Sequence, residues 1–255
     1  MKPTSRSLLR SSIALAVLAL AACATGPKLT ASQKDPFYLY QMGVNHFQQG
    51  HLPEAERFFK DSLRYDPKNA ATHNSLGLAL LLQGKLPEAE GSFLQAIRIN
   101  SSFADAHNNL GVTYLQTGEL AKAAQELGIA RQDTVYSTNP SVWFNLGLVE
   151  LRKGAPGEAV AHFNEALSRD KDYVVAHFQR AQAYEKMDQG AQAVDDYRIY
   201  ADARKDDPEA LFHLARCLVN LKRGDEARPL LERVKFLTPS GPYGKEAAKL
   251  LAILP

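Results

Sequence analysis

The sequence predicts an all-α protein, a solenoid of six helix-turn-helix repeats closed by a C-terminal capping helix. Two glycine series and one alanine series predict this fold, because each series recurs at intervals of 34 or 36 residues. The positions are Gly43, Gly77, Gly111 and Gly147, then Gly50, Gly84, Gly118 and Gly154, and finally Ala55, Ala89, Ala123, Ala159, Ala193 and Ala227. A period of this length indicates stacked helix pairs, each of which buries its apolar face against its neighbours. The first glycine of a repeat, or Ala181 and Ala215 in the last two, should let its two helices approach closely, and the second glycine should form the turn between them. The large residue four positions after each alanine should fill the space between the helices: Phe59, Phe93, Leu127, Phe163, Tyr197 and Leu231.

Residues 1–22 precede the repeats and have the pattern of a secretory signal. Lys2, Arg6 and Arg10 form a basic start, and the uncharged stretch SSIALAVLALAA follows at residues 11–22. This stretch is too short to span a bilayer as a stable helix. The tetrapeptide LAAC at residues 20–23 resembles the bacterial lipobox. The resemblance implies cleavage before Cys23 and covalent attachment of lipid to its sulfur.

The residues after Cys23 predict where the lipidated chain resides. Residue 24 is Ala rather than Asp, which in lipoproteins similar to those of enteric bacteria implies transport to the outer membrane. Two or three acyl chains together hold a protein stably on a membrane. Residues 23–35 form the lipidated cysteine and a polar tether, and a segment of this length extends at most about 40 Å. We therefore expect a lipid anchor in the outer membrane, with the folded body on the periplasmic face.

The repeat domain extends over residues 36–255. Six repeats are predicted at 36–69, 70–103, 104–137, 140–173, 174–207 and 208–241, and the capping helix at about 244–254. Asp35, Asn139 and Asp207 each precede a proline, which is the arrangement of an N-cap and a first helical residue. Pro229 lies inside the second helix of the sixth repeat and is expected to disturb that helix. One face of the capping helix is apolar and should close the core: Ala247, Leu250, Leu251 and Leu254.

Composition and charge exclude several classes of function. Three of the 30 basic residues precede Cys23, which leaves 27 basic against 28 acidic residues in the rest of the chain. A chain with this balance has no basic field to hold nucleic acid. The sequence contains no phosphate-binding loop, nucleophile elbow, HExxH or CxxC motif, so neither an enzyme nor a small-molecule substrate is expected. Cys217 has no disulfide partner once Cys23 is lipidated, and we expect it to be a small buried residue.

Histidines are the remaining candidates for a metal site. His73, His107 and His177 occupy the same offset in three repeats. Equivalent residues of stacked repeats are separated by a helix pair, whereas zinc needs its nitrogen ligands within about 2.1 Å. We therefore expect these side chains to be structural, and we expect no metal or cofactor besides the lipid on Cys23. No close pair is expected among the other four histidines, His46, His51, His162 and His213.

The glycine and alanine positions match the offsets of tetratricopeptide repeats, so the chain resembles that superfamily. The resemblance implies a right-handed superhelix in which the first helix of each repeat lines a concave groove. The groove offsets of the family select these candidate residues: Tyr40, Gln41, Val44, Asn74, Leu78, Asn108, Asn109, Val112, Phe144, Asn145, Leu148, Phe178, Gln179 and Phe212. Carboxamides can bond a peptide backbone while apolar neighbours receive its side chains. We therefore expect an apolar segment of a partner protein, extended or helical, as the guest.

The link between the third and fourth repeats is two residues longer than the others and reads RQDTVYSTNPS at residues 131–141. This stretch is similar to the corresponding link of the type IV pilus pilotins, the PilF/PilW/Tgl group of six-repeat outer-membrane lipoproteins. The resemblance implies a protein that binds secretin subunits and promotes their localisation and multimerisation for pilus biogenesis. A lipidated adaptor for cell-wall hydrolases or for outer-membrane protein assembly is the alternative, and genomic neighbourhood would discriminate between the two.

Overall fold

The computed structural model describes residues 34–254. Over this range the chain forms 13 α-helices, a 3-10 turn at Tyr136–Thr138 and no β-strand, which confirms the predicted all-α class. The helices are α1 (Pro36–Gln48), α2 (Leu52–Tyr65), α3 (Ala70–Leu82), α4 (Leu86–Ile99), α5 (Ala104–Thr117), α6 (Leu120–Gln132), α7 (Pro140–Lys153), α8 (Pro156–Arg169), α9 (Val174–Lys186), α10 (Gly190–Ala203), α11 (Pro208–Asn220), α12 (Gly224–Leu237) and α13 (Pro242–Ile253). The predicted signal, Cys23 and the tether up to residue 33 lie outside the described residues.

Each predicted repeat contains two helices, here called helix A and helix B, and α13 follows the sixth repeat. The described chain divides into two compact units, the first ending at Lys68 and the second beginning at Asn69. The first unit contains one repeat, α1 and α2. The second contains the other five repeats, in which each helix B also packs against helix A of the next repeat. No helix between Lys34 and Leu254 is long and apolar enough to cross a membrane.

The core of each repeat is one large side chain of helix B held against a small residue of helix A. A Cβ atom added to Gly147 would lie 2.5 Å from the ring of Phe163, so only glycine allows this approach. In the last two repeats Ala181 and Ala215 occupy the same offset and are fully buried. The large partners are Phe59, Phe93, Leu127, Phe163, Tyr197 and Leu231, all at most 1% exposed. The predicted contact is confirmed in the first four repeats, and in the last two both residues are buried in the same core.

The turn from helix A to helix B has a residue with positive φ in every repeat. Gly50, Gly84, Gly118 and Gly154 have φ between 74° and 83°, as their spacing predicts. In the fifth and sixth repeats Asp188 and Lys222 take the same place, with φ of 57° and 60°. The turn is therefore imposed by the repeat geometry even where the sequence does not provide glycine, at a cost in backbone strain.

Helix starts follow the predicted caps. The side chains of Asp35, Asn139 and Asp207 accept hydrogen bonds from backbone N–H groups in the first turns of α1, α7 and α11, at 3.0–3.2 Å. Asn69 caps α3 in the same way, bonding the N–H of Thr72 at 3.0 Å. Each cap satisfies an N–H group that the helix itself leaves unpaired.

The prediction that Pro229 disturbs the sixth helix B is wrong. Helix α12 continues from Gly224 to Leu237 with the proline in its second turn. Pro229 is exposed, so its ring is directed away from the core. Because proline lacks only its own N–H, the helix loses the bond from residue 229 to Asp225 and keeps the others.

The last helix closes the apolar end of the second unit as predicted. Ala247 is fully buried, and Leu250, Leu251 and Leu254 pack against the core of the fifth and sixth repeats. Gly244 fixes the approach of α13, since an added Cβ would lie 1.8 Å from the carbonyl oxygen of Thr238. The solenoid therefore does not end on an open hydrophobic face.

We expect Lys222→Gly to stabilise the chain, because the left-handed conformation costs a residue with a Cβ about 1 kcal/mol or more in conformational free energy. The Tm should rise by about 2 °C, measured by circular dichroism. Lys205→Gly is the matched control, since Lys205 lies in a turn without positive φ. The control should leave the Tm unchanged or lower it, and an equal rise in both variants would contradict the explanation.

Candidate peptide-binding groove

The candidate groove is the surface formed by the A helices of the second unit. Its residues recur every four positions along each helix and therefore form one stripe, as Asn74, Leu78 and Leu82 do on α3. Tyr40, Gln41 and Val44 occupy the equivalent places on α1 in the first unit. There the ring of Tyr40 packs against Phe59 with centroids 5.8 Å apart.

Four asparagines of α3, α5 and α7 form a continuous hydrogen-bonded ladder. Asn145 Nδ2 donates to Asn108 Oδ1 at 3.0 Å, and Asn109 Nδ2 donates to Asn74 Oδ1 at 3.0 Å. A longer contact of 3.5 Å from Asn108 Nδ2 to Asn109 Oδ1 joins the two pairs. Asn108 and Asn145 are buried, whereas Asn74 and Asn109 are half-buried. The structure thus brings together four of the predicted groove residues, and the hydrogen bonds between them fix the orientation of their amides.

Aliphatic side chains lie beside this asparagine ladder. Leu78, Val112 and Leu148, all predicted groove residues, are half-buried on α3, α5 and α7. Leu82 extends the stripe of α3 and is 59% exposed, although it was not among the predicted residues. Its offset is one that the repeat family assigns to the groove, so the same sequence rule applied to the end of helix A would have found it.

The aromatic candidates are used largely for packing. Phe178 and Phe212 are buried, so they are not the accessible groove residues that their offsets predicted. Phe178 contacts the rings of Tyr197 and Tyr200 at 5.5 and 4.8 Å, because helix B of its repeat covers it. Phe144 is half-buried, and its ring meets Phe163 and Tyr173 at 5.8 and 5.4 Å. Gln179, beside Phe178, is half-buried.

A partly buried ionic cluster occupies the A-helix surface of the last two repeats. Glu185 accepts hydrogen bonds from Arg216 Nη2 at 2.8 Å and from the Tyr197 hydroxyl at 2.5 Å, and His213 Nδ1 lies 3.4 Å away. Burial opposes ionisation of Glu185, but its bonds to His213, Tyr197 and Arg216 outweigh burial and lower its pKa to about 2. Cys217 is buried as predicted, and burial together with Glu185 raises the pKa of its thiol to about 12.

The polar side of this cluster faces an open depression of about 470 Å³ lined by Gln182, Glu185, Lys186, His213 and Arg216. Arg216 is neutralised by Glu185. Arg152, farther along the groove, donates to the backbone carbonyl oxygen of Leu115. The groove therefore has an amide and aliphatic part in repeats two to four and a charged part in repeats five and six.

His107 and His177, two histidines of the shared offset, each contact a carboxylate within their own repeat. His107 Nδ1 lies 2.7 Å from Glu126 and its Nε2 lies 3.1 Å from the carbonyl oxygen of Ser101, and the bond to Glu126 raises the pKa of His107. His177 Nδ1 is 2.7 Å from Asp196, which also binds Arg180. Across residues 34–254 no group of three or more His, Cys, Asp or Glu is placed to hold a metal ion.

One histidine pair does form, which the sequence analysis did not expect. The rings of His46 and His51 lie 5.9 Å apart in the first unit. The turn between α1 and α2 folds His51 back beside the last turn of α1, where its N–H bonds the carbonyl oxygen of His46 at 2.9 Å. The ring of His46 also stacks on Phe58 at 5.1 Å. This pair is a packing contact at a helix turn.

The longer link after the third repeat is built around Trp143. Its indole N–H donates to the carbonyl oxygen of Ser137 at 2.8 Å, and Arg169 Nε donates to the same oxygen at 2.7 Å. The guanidinium groups of Arg131 and Arg169 lie 5.3 and 4.4 Å from the Trp143 ring. Asp133 accepts from the N–H groups of residues 135 and 136 and so starts the 3-10 turn. The two extra residues thus form an ordered connection.

The sequence matches a profile described as tetratricopeptide repeat over residues 40–103, 128–174 and 178–242, and a second tetratricopeptide repeat profile over residues 92–125. No curated protein matches the sequence.

Solved structures match the fold over most of the chain. PilF of Pseudomonas aeruginosa has 23% identity and a TM-score of 0.76, and the match covers 84% of this chain and 96% of PilF. PilW, described as a widely conserved type IV pilus biogenesis factor, has 18% identity and a TM-score of 0.78 over 84% of this chain and 98% of PilW. YrrB, described as a tetratricopeptide protein with an unusual peptide-binding site, has 16% identity and a TM-score of 0.60 over 75% of this chain and 97% of YrrB. These likenesses confirm the repeat fold, and they include members of the pilotin group that the third link resembles.

The asparagine ladder should show energetic coupling. Replacing Asn108 or Asn145 by Ala leaves the other buried amide without its partner. The double variant should therefore lose about 1 kcal/mol less free energy of unfolding than the two single variants lose together. Urea unfolding of the four proteins measures this difference. The half-buried pair Asn74 and Asn109 is the control, with a smaller coupling expected because water can replace the lost partner. Additive effects at Asn108 and Asn145 would contradict the ladder.

Proposed function

The chain belongs to the tetratricopeptide repeat family, and from this premise we propose that it is a type IV pilus pilotin. In this proposal it is anchored in the outer membrane through lipid on Cys23, binds secretin subunits, and promotes their localisation and multimerisation. The observation that carries the proposal is the match in fold to PilF and PilW, which covers 84% of this chain and nearly all of each of them, together with the longer third link. PilW is described as a type IV pilus biogenesis factor.

The groove of repeats two to four is suited to holding a segment of secretin. The half-buried members of the asparagine ladder, Asn74 and Asn109, offer amide donors and acceptors to a peptide backbone, and the buried Asn108 helps to orient Asn109. Leu78, Leu82 and Val112 offer partly exposed aliphatic surface to its side chains. Desolvating such surface is favourable by about 25 cal/mol for each Å² of apolar area. A guest with a mixed polar backbone and apolar side chains therefore fits this groove better than a charged one.

Binding without covalent chemistry is sufficient for an assembly factor of this kind. A protein anchored to a membrane holds any captured subunit in a thin layer at that surface. The effective concentration of the captured subunit is then set by the tether length and no longer by diffusion through the whole compartment. Secretin subunits gathered in this way would meet one another at the membrane where their ring is needed. Cys23 supplies the anchor in this scheme, and the groove supplies the capture.

In a strain lacking this protein we expect secretin to be made at normal abundance but to remain monomeric. Wild-type protein on a plasmid should restore detergent-resistant multimers. The variant Leu82→Glu with Val112→Glu should not restore them, because buried charge at an interface anchor typically costs about 2 kcal/mol or more, roughly thirtyfold in affinity. Immunoblots of monomer and multimer, with surface pili and twitching motility, measure the outcome.

The control for this experiment is Leu94→Glu with Ile99→Glu, which adds the same charge at exposed positions on helix B of the second repeat. It should restore multimers as the wild type does. Circular dichroism must show equal helicity for both variants. If secretin multimers form normally in the deletion strain, the pilotin proposal fails, and the adaptor for cell-wall hydrolases or outer-membrane assembly takes its place.

The anchor has a separate test. Cys23→Ala should move the protein from the outer-membrane fraction to the soluble periplasmic fraction, because no acyl chain can then be attached. Its helicity and Tm should not change, since twelve residues separate Cys23 from α1. Sedimentation of Cys23→Ala with the outer membrane at the wild-type level would show that lipid does not localise this protein.

A further inference from the structure

Three aromatic side chains of the first unit are turned towards solvent. Phe37 is 67% exposed, Tyr38 is 41% exposed and Tyr65 is 48% exposed. We call these three residues the aromatic edge. Removing rings of this size from water is favourable, and exposed apolar residues that lie together mark a contact surface. The aromatic edge therefore has no structural role that the first unit explains.

These residues lie at one end of the first unit. The Ser62 hydroxyl donates to the carbonyl oxygen of Pro36 at 2.8 Å, which joins the first residue of α1 to the last turn of α2. Phe37 and Tyr38 follow Pro36 directly, and Tyr65 follows Ser62 by one helical turn on the same side of α2. The inward face of α1 is formed by other residues, since Leu39 and Gly43 are buried.

The chain that leads to this end comes from the proposed anchor. Lys34 is the first described residue, and Cys23 lies eleven residues before it. Eleven residues extend at most about 40 Å, so a lipidated Cys23 would hold this end of the unit close to a bilayer. The aromatic edge is thus at the point of the described chain that is nearest in sequence to the lipid.

We propose that the aromatic edge lies in the interfacial layer of the lipid surface to which Cys23 is attached, and that it sets the orientation of the first unit on that surface. This inference rests on the proposed lipid anchor. The acyl chains keep the protein on the membrane, whereas the three rings decide which end of the first unit meets it.

The chemistry of these side chains fits a lipid headgroup layer. Tyrosine has an apolar ring and a hydroxyl that stays hydrated, which is why it is common where membrane and water meet. Phe37 supplies purely apolar area beside the two tyrosines. The exposed Lys34 and Lys68 lie close in sequence to this edge and can pair with anionic headgroups. Because the contact is already tethered, a weak attraction is enough to bias orientation.

A second copy of the protein is a less suitable occupant than lipid. Each aromatic side chain offers roughly 150–250 Å² even when wholly free, and these three are only partly exposed. A stable protein interface buries about 1,200 Å² or more in total. The aromatic edge alone falls well short of that area, whereas an interfacial membrane contact has no such minimum once the chain is anchored.

The test uses tryptophan as a depth probe in the full chain, made with its own signal and reconstituted into phosphatidylethanolamine and phosphatidylglycerol vesicles. Phe37→Trp places the probe in the aromatic edge. Phe236→Trp is the matched control, because Phe236 is 74% exposed and lies in the second unit on α12. Wild-type emission, which comes from Trp143, is subtracted from both. We expect the Phe37→Trp emission to shift to shorter wavelength and to be quenched by brominated acyl chains, with neither change in Phe236→Trp.

The lipid anchor is measured separately, by intact mass and by flotation of the vesicles. If the mass shows no lipid, the anchor proposal fails by itself, and the same comparison is made after coupling Cys23 to a maleimide lipid. Cys217 does not compete for the maleimide, since it is buried and its thiol pKa is raised to about 12.

Three results would overturn the inference. The first is a vesicle-attached Phe37→Trp protein whose emission brominated lipid does not quench. The second is equal quenching of Phe37→Trp and Phe236→Trp, which would mean unspecific contact with the bilayer. The third is protection of Phe37→Trp from acrylamide in the absence of vesicles, which would mean that another part of the protein or a second copy covers the edge.

Discussion

The close approach of helix A to helix B is the contact on which the rest of this protein depends. One residue without a side chain, or with a single methyl group, faces one large side chain in every repeat. The added Cβ distance of 2.6 Å at Gly43, Gly77 and Gly111 shows that the space is fully used. Because the same contact recurs in all six repeats, it fixes the turn that follows helix A. In the second unit it also leaves the remaining face of each helix A available for a groove.

The last two repeats keep this geometry with different residues. Alanine replaces the glycine, and tyrosine or leucine fills the core. The hydroxyl of Tyr197 would be unsatisfied in an apolar core, and Glu185 accepts its hydrogen bond. Glu185 in turn needs Arg216 and His213 around it, since an unpaired carboxylate there would be expensive. The charged part of the groove is therefore linked to the core through the hydroxyl of a tyrosine on the adjacent helix.

The sequence predicted features that depend on one residue type at one offset. Glycine spacing was sufficient for the turns, and a proline after Asp or Asn was sufficient for three helix starts. Contacts that depend on neighbouring helices were not predictable in this way. Phe178 has a groove offset, yet Tyr197 and Tyr200 cover it, and nothing local distinguishes it from Phe144. The strained φ of Lys222 and the unbroken helix at Pro229 have the same origin, because repeat packing overrides a local preference.

The asparagine ladder has a direction. Each amide donates towards repeat two, from Asn145 to Asn108, then to Asn109 and finally to Asn74. A chain of amides ordered in this way presents an oxygen at one end and an N–H group at the other. A peptide backbone has the same kind of polarity, because its N–H and C=O groups alternate in a fixed sense from N-terminus to C-terminus. If the proposed guest binds along the ladder, this polarity would favour one orientation of its chain over the other.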